Sequence, residues 1–203
     1  PFGEIQSYFP WHCTFLNDAN AGAFAEGIGS DLPSSFFYLS LSNTVGGAIF
    51  HDGNLLPGDA FRCGEAGHMT LIPDGKPCYC GKTGCVDAYC SARLLSDLSG
   101  GRLEDFFLGL QQNNPDYRSV WDTYLKHLAV VINNLHMLLD YDIVLGGYVG
   151  SFLTPWLDTI RHLVAERNTF EDDGSFVKLC TYQTGAAAYG AAMDVMEEFL
   201  RTV

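Results

Sequence analysis

One stretch, residues 64–91, constrains the chain more than any other. It reads GEAGHMTLIPDGKPCYCGKTGCVDAYCS and places one histidine and three cysteines in the spacing H-x9-C-x-C-x4-C. Its candidate metal ligands are His68, Cys78, Cys80 and Cys85. One imidazole and three thiolates form the closed tetrahedral ligand set of structural zinc. Gly81 and Gly84 lie among the thiols, where a tight turn needs a freely rotating backbone. The spacing therefore predicts a zinc knuckle.

Two other interpretations of this stretch remain open from spacing alone. The cysteines could be unrelated core residues, because a free cysteine is often buried. A disulfide is the second alternative, but Cys78 and Cys80 are too close in sequence to bridge comfortably, and three clustered thiols leave one unpaired. The density of C-x-C-G-x-x-G-C favours the metal over both alternatives.

Apolar periodicity along the chain predicts alternating strands and helices. The predicted strands lie at 12–16, 36–41, 45–50, 143–145 and 176–180. The predicted helices are a short one ending near Gly27, then 87–98, 103–110, 116–139, 156–166 and 184–201. An Asp52-Gly53 turn between apolar runs predicts a β-hairpin. This alternation indicates an α/β layered fold, and one domain over 1–203 is the simplest organisation.

Four segments together resemble the ROK family (repressors, open reading frames and sugar kinases). They are GEAGH at 64–68, CYCGKTGC at 78–85, LNDANAGAFAE at 16–26 and DYDIVLGGYV at 140–149, and they follow the family's order. The resemblance implies an actin-like ATPase (ribonuclease H-like) fold of the sugar-kinase type with an inserted zinc knuckle. It also implies that 1–203 is the C-terminal part of a ROK module. Pro1 in place of a starting methionine agrees with a missing N-terminal half.

The resemblance also implies the sugar-binding residues. These are Asn17, Asp18, Glu65, His68 and Asp87. Asp18 matches the catalytic base if the protein is a kinase, although a plain helix N-cap is its alternative role. Asp87 stands where the family usually has Glu. His68 would serve both metal and sugar through its two ring nitrogens, whereas His127 and His136 are interpreted as ordinary helix residues.

Two glycine pairs match the family's nucleotide side, Gly46-Gly47 and Gly146-Gly147. Before the first pair, kinases of the family read Gly-Thr-Gly, and this chain has Ser42-Asn43-Thr44. Replacing both glycines adds side chains where phosphates would approach the backbone. This departure weakens ATP binding as a hypothesis and favours a sensor.

The main functional hypothesis is therefore the sugar-binding effector domain of a ROK transcriptional regulator of carbohydrate metabolism, expected to be a homodimer. The alternative is an ATP-dependent kinase for a hexose or N-acetylhexosamine, with ATP and magnesium in the cleft. A zinc-stabilised interaction domain without a small ligand ranks last, because it requires the sugar motifs to be accidental. Structural zinc is the expected cofactor in either leading case.

Charge and composition limit the partners. A formal net charge of −13 without a Lys/Arg cluster argues against nucleic-acid binding by this chain, so DNA contact would need an N-terminal helix-turn-helix outside it. There is neither a signal-peptide pattern nor an apolar run long enough to span a bilayer, so no membrane partner is expected. The 7 cysteines follow no extracellular disulfide plan, which favours the cytoplasm.

Overall fold

A mixed five-stranded sheet is the centre of the structure, a computed structural model that describes residues 2–11 and 13–202. The strands are β1 (Phe36–Leu41), β2 (Val45–His51), β3 (Asn54–Leu55), β4 (Asp142–Gly146) and β5 (Val177–Leu179), in the spatial order β3-β2-β1-β4-β5. The β1–β2 and β2–β3 pairs are antiparallel, and β1–β4 and β4–β5 are parallel. Because β1 and β4 run in the same direction, their carboxyl ends meet at one edge.

Helices cover both faces of this sheet. They are α1 (Phe2–Gln6), α2 (Asp18–Gly29), α3 (Asp87–Cys90), α4 (Ala92–Ser96), α5 (Leu103–Gln111), α6 (Pro115–Leu139), α7 (Gly147–Gly150), α8 (Leu157–Ala165) and α9 (Ala186–Thr202). Short 3-10 turns lie at Ala66–His68, Asp97–Ser99, Thr154–Trp156 and Gln183–Gly185. Among the helices of the described ranges, none combines the length and apolarity needed to cross a bilayer.

Alternating side chains of β1 divide the core into two parts. Leu39 points into the larger core, which holds the buried side of α6, and Tyr38 points into the smaller core with α2. The two helices on the smaller side, α2 and α9, lie very close together. A Cβ at Gly190 would be 1.7 Å from the carbonyl oxygen of Ala21, so this crossing requires glycine.

The longest predicted helix is confirmed, and its ends have clear physical causes. Asn114 caps α6 by accepting hydrogen bonds from the backbone N–H groups of Asp116 and Tyr117 at 3.0 and 3.3 Å. Pro115 occupies the first turn, where its missing N–H costs nothing. Asp140 ends the helix in the left-handed conformation at φ 57°.

Two of the predicted elements are wrong. His12 lies outside the described residues, and residues 13–17 form no strand; Phe15 there is 41% exposed. The predicted 87–98 helix breaks at Ser91, whose ψ of 153° is extended. The break has a tertiary cause, because the N–H of Ala92 donates to the Ser42 carbonyl at 2.7 Å instead of to its own helix.

Candidate functional site

A cavity of about 230 Å³ opens at the edge where β1 and β4 end. We call it the central cavity. Its lining residues are Asp18, Tyr38, Ser40, Ser42, Asn43, Thr44, Gly147, Tyr148, Gln183, Thr184, Ala186 and Ala187. Ligands of open α/β sheets characteristically bind outside the carboxyl ends of the strands. In the described part of the chain, neither lysine nor arginine lines it, so one carboxylate together with hydroxyl, amide and backbone groups supplies its polarity.

Asp18 reaches this cavity from the first turn of α2. The N-cap role belongs to its neighbour Asn17, whose Oδ1 accepts hydrogen bonds from the N–H groups of Ala19 and Asn20 at 2.9 and 3.2 Å. Among the described residues, the Asp18 carboxylate accepts a hydrogen bond only from the adjacent Ala19 N–H, at 2.9 Å, and it is exposed. Within the described residues it is the only carboxylate among the lining groups, so it is the group there that could accept a proton from a ligand.

Gly147 brings the end of β4 against the end of β1. Its φ is +76°, and a Cβ there would lie 2.7 Å from both the Leu41 nitrogen and the Ser42 Oγ. At Gly146 a Cβ would lie 2.1 Å from the hydroxyl oxygen of Tyr38. Both glycines are needed for close approach, and Gly147 lines the central cavity.

Tyr38 is a lining residue that sequence reasoning missed. It is only 2% exposed, and its ring also fills the space beside Gly22 on α2. Burial raises the pKa of its hydroxyl well above the ordinary value, so the group stays protonated and can donate a hydrogen bond. An aromatic residue in an apolar strand pattern gave no signal of this position.

The other glycine pair lies elsewhere. Gly46 and Gly47 are within β2 and do not line the central cavity. A Cβ at Gly47 would be 2.6 Å from the carbonyl oxygen of Gly64, and one at Gly67 would be 2.0 Å from that of Val45. The contacts of Gly47 and Gly67 therefore seat the 64–68 loop on the sheet, and the nucleotide-side role of Gly46 and Gly47 stays a prediction.

A second cavity of about 190 Å³ adjoins the first and shares Asn43 and Thr44 with it. Asp87 lines this second cavity and is buried, with its Oδ1 accepting from the Val45 N–H at 2.6 Å. Tyr79 lines it as well. Glu65 and His68 are exposed and line neither cavity. The structure thus places Asp18 and Asp87 on either side of one turn, residues 42–44.

A third cavity of about 290 Å³ was not predicted from the sequence. It shares Asn43, Tyr148 and Thr184 with the central cavity, and Leu103 and Phe152 give it an apolar wall. Phe152 is held by stacking on Phe107 with ring centroids 4.3 Å apart. The three cavities form one cleft around the 42–44 turn, and an aromatic and apolar wall suits a planar ring.

The four predicted metal ligands come together. One ligand atom from each of His68, Cys78, Cys80 and Cys85 lies within 4.8 Å of all the others. The Cys80 and Cys85 sulfurs are 3.7 Å apart. A tetrahedral site with Zn–S bonds of about 2.3 Å separates its sulfurs by roughly 3.8 Å, whereas a disulfide bond is about 2.05 Å long. The spacing of the thiols fits a metal and not a bridge.

Backbone contacts within the 64–91 loop hold the four candidate ligands in place. The Cys78 N–H donates to the Lys82 carbonyl at 2.8 Å, and the left-handed Gly84 presses against Ile72, where a Cβ would be 1.9 Å from the carbonyl oxygen. A hydrogen bond from the Lys82 backbone N–H lowers the pKa of the Cys80 thiol, while burial raises the pKa of Cys85 to about 12. Metal binding would displace the Cys85 proton.

A family model described as the ROK family matches residues 2–198. The chain belongs to the ROK family. The resemblance that the motifs carried is therefore confirmed, and the cleft and the Cys3His cluster lie within the matched range.

Individual ROK relatives differ in function. N-acetylmannosamine kinase of Vibrio cholerae is 31% identical over 144 residues, 68% of this chain and 50% of the relative. A glucokinase from Streptomyces griseus in complex with glucose and AMPPNP has a TM-score of 0.73 at 20% identity, over 94% of this chain and 70% of that chain. A ROK family transcriptional regulator, a homologue of the E. coli MLC protein, has a TM-score of 0.71 at 22% identity, over 94% of this chain and 54% of that chain.

These likenesses establish the actin-like ROK sugar-kinase fold, with α/β layers and a mixed sheet. This ROK chain spans about half the length of the curated relatives it matches.

The two histidines of α6 have ordinary contacts in this ROK chain. Nδ1 of the buried His136 is 2.8 Å from the carbonyl oxygen of Tyr141, and its ring stacks on Phe176. His127 packs edge-on against Tyr89 at 5.0 Å. Burial, and then the charge of Lys76, lower the pKa of His127. Neither histidine lines the cleft.

Proposed function

We propose that this chain forms part of an ATP-dependent sugar kinase acting on a hexose or N-acetylhexosamine. N-acetylmannosamine is the first substrate to test, because a matching relative carries that name. The observation that supports the proposal most directly is the position of Asp18. It is a carboxylate at a helix start, in a cavity that continues on both sides into further ligand-sized space.

In this proposal the sugar lies between Asp18 and Asp87. The family resemblance adds Asn17, Glu65 and His68, which are outside the lining of both cavities, as further hydroxyl ligands. The ATP phosphates occupy the central cavity, and the adenine ring lies in the third cavity beside Tyr148 and Phe152. Asp18 accepts the proton of the reacting sugar hydroxyl. The oxygen of that hydroxyl bonds to the γ-phosphorus of ATP, and the bond between the γ-phosphorus and the oxygen that leaves with ADP breaks. The products are a sugar phosphate and ADP.

The phosphate charge needs partners that the side chains do not supply. Ala186 and Ala187, the first residues of α9, line the central cavity, and a helix N-terminus is a favourable place for phosphate. Magnesium bound to the ATP would neutralise further charge. These two sources account for a nucleotide site that lacks lysine and arginine among the described lining residues.

The regulator hypothesis rested on the altered 42–44 turn, and that argument loses weight. Ser42, Asn43 and Thr44 all line the central cavity, so the side chains replacing the glycines coexist with space for a ligand. Similarity to a ROK regulator over 54% of that chain keeps the sensor as a second candidate. DNA binding in that case, and the predicted homodimer, remain proposals about a longer protein.

We also propose that the Cys3His cluster holds zinc in a structural role. Four protein ligands complete a tetrahedral shell, which leaves no open position for substrate. The metal would fix the 64–91 loop, including the Glu65 and His68 candidates, and would take no part in phosphoryl transfer.

The test is an ATP-dependent phosphorylation assay with N-acetylmannosamine, N-acetylglucosamine and glucose. Because the chain spans half its relatives' length, we would assay both this chain and the longest reading frame containing it. Asp18→Asn should lower kcat by about 10²–10⁴-fold, the range expected for a general base. Asp158→Asn, on an exposed residue outside the cleft, is the matched control and should keep wild-type turnover.

Undiminished turnover in Asp18→Asn would remove the assigned base. A sugar-induced rise in melting temperature without any turnover would favour the sensor instead.

A further inference from the structure

Glu26 is a fully buried carboxyl group, 0% exposed, that the reaction described above does not use. It lies on α2, two turns beyond Asp18. Its Oε1 accepts hydrogen bonds from the backbone N–H groups of Thr181 and Tyr182, at 2.7 and 2.9 Å. One side chain thus joins α2 to a loop 155 residues further along the chain.

That loop forms a wall of the central cavity. Thr181 and Tyr182 lead directly into the 3-10 turn Gln183–Gly185, and Gln183 and Thr184 line the cavity. Gln183 has a φ of +47°, a left-handed conformation that is unfavourable for a residue with a side chain. Such a conformation persists only where neighbouring contacts enforce it. The two hydrogen bonds that Glu26 accepts hold Thr181 and Tyr182, the residues immediately before Gln183.

The same carboxyl group is costly to bury. Its second oxygen, Oε2, is buried without a hydrogen-bond partner among the described residues. An unpartnered buried acceptor destabilises the folded protein. Stability alone therefore does not explain why a carboxyl group occupies this position. A role in shaping the cleft does, because the two N–H groups it satisfies border the cavity wall.

We propose that Glu26 is a positioning residue for the nucleotide. It fixes the Gln183–Thr184 wall, and the start of α9 behind it, at a set distance from Asp18 on the same helix. A rigid α2 then aligns the group that receives the proton with the wall that holds the phosphates. This inference rests on the proposed kinase function.

The test compares Glu26→Leu with Glu26→Gln. Leucine fills similar volume but accepts no hydrogen bond, so the Thr181 and Tyr182 N–H groups lose their partner. Glutamine keeps a carbonyl oxygen for both. We expect Glu26→Leu to weaken AMPPNP binding, and to raise the KM for ATP, by at least about tenfold, since a lost hydrogen bond is worth this order. Glu26→Gln should restore most of this affinity, and the KM for sugar should change little in both variants.

Two further measurements separate positioning from stability. Hydrogen exchange should quicken at the Thr181 and Tyr182 amides in Glu26→Leu. Phe24→Leu, on the same helix but outside the cleft, should lower the melting temperature and leave AMPPNP affinity unchanged. If Glu26→Leu does not fold, Glu26→Asp, which draws the oxygens back by one methylene, replaces it in the same comparison.

The outcomes distinguish the two proposals. A wild-type protein that binds no AMPPNP and phosphorylates no sugar overturns the kinase function, and the positioning role with it. Wild-type binding that Glu26→Leu leaves unchanged overturns only the positioning role. A loss in Glu26→Leu that the Phe24→Leu control matches would reduce Glu26 to a stabilising residue.

Discussion

Replacing Gly147 by alanine tests the packing on which the cleft depends. Gly147 is in the left-handed region at φ +76°, which costs a residue with a side chain about 1–2 kcal/mol. The new Cβ would also lie 2.7 Å from the Leu41 nitrogen and 2.8 Å from its carbonyl carbon. These are backbone atoms of a central strand, so relieving the clash costs a further ~1–3 kcal/mol. Gly147→Ala should therefore destabilise the protein by about 2–5 kcal/mol.

Gly53→Ala is the matched control, because it shares the strain without the clash. Gly53 has a φ of +79°, and a Cβ there would meet nothing within 4 Å. The difference between the two variants isolates the clash, about 1–3 kcal/mol. For a chain of this length that difference corresponds to a gap in melting temperature of roughly 2–12 °C. Urea unfolding followed by circular dichroism would give the two free energies directly.

Equal free energies of unfolding for Gly147→Ala and Gly53→Ala would refute the reasoning. That result would mean that the ends of β1 and β4 are further apart than the structure has them, and that the central cavity has a different shape. If the clash is real, Gly147→Ala should also lose AMPPNP binding under conditions where it remains folded. Gly53→Ala should keep AMPPNP binding, because Gly53 lies in the β2–β3 turn, away from the cleft.

Two other predictions concern the knuckle and α6. Cys80→Ser should lower the zinc content, measured by atomic emission, from about one ion per chain to well below it, and it should increase hydrogen exchange over 64–91. Cys13→Ser, outside the cluster, is the control, and an unchanged zinc content in Cys80→Ser would rule out the site. The pKa of His127 is lower in the folded protein than in the unfolded chain, so the unfolded chain takes up the proton at a higher pH. The contribution of neutral His127 to the free energy of unfolding is therefore complete above about pH 6.5 and is lost as the pH falls below that value. His127→Gln should therefore flatten the dependence of the urea midpoint on pH between about 7.5 and 5, and an unchanged slope would contradict this.

The convergence of His68, Cys78, Cys80 and Cys85 could be predicted from sequence because the four residues lie within one short stretch of the chain. His68 and Cys85 are the outermost ligands, and short turns join all four. Glycine and cysteine spacing within one loop therefore carries most of the geometry. The central strand β1 and the long helix α6 were also predictable. β1 is buried at every position and so forms a continuous apolar run, whereas α6 is buried on one side and so has apolar residues at helical spacing.

The cleft could not be predicted in the same way, because its walls come from distant parts of the chain. Asp18, Asn43, Gly147 and Thr184 meet only after β1 and β4 pair in parallel. Family resemblance pointed to Asp18, to Gly147 and to the turn that contains Asn43, and periodicity pointed to none of the four. The break at Ser91 has the same origin, since the N–H of Ala92 donates to the carbonyl group of Ser42, 50 residues earlier in the chain.

Tyr38 and Glu26 illustrate what a sequence pattern leaves out. Tyr38 is buried like its apolar neighbours on β1, but the strand pattern does not indicate what its hydroxyl contacts. Glutamate is usually exposed in proteins, yet Glu26 in the alanine-rich α2 is fully buried. Glu26 is buried where its Oε1 accepts hydrogen bonds from two backbone N–H groups of the β5–α9 loop. A requirement set by backbone 155 residues away leaves no local trace in the sequence.

The 42–44 turn shows how the same residues support opposite conclusions before and after folding. Taken alone, the loss of two glycines argues against a phosphate beside the backbone. In the structure this turn borders all three cavities through Asn43, and two of them through Thr44. The Ser42 Oγ lies 3.3 Å from Ser40 Oγ, so hydroxyl groups gather where a glycine turn would offer only N–H groups. Hydroxyl and amide donors of the 42–44 side chains can therefore replace the contacts that backbone N–H groups of a glycine turn would make. In the proposed kinase these donors lie where the sugar, the phosphates and the adenine ring would meet.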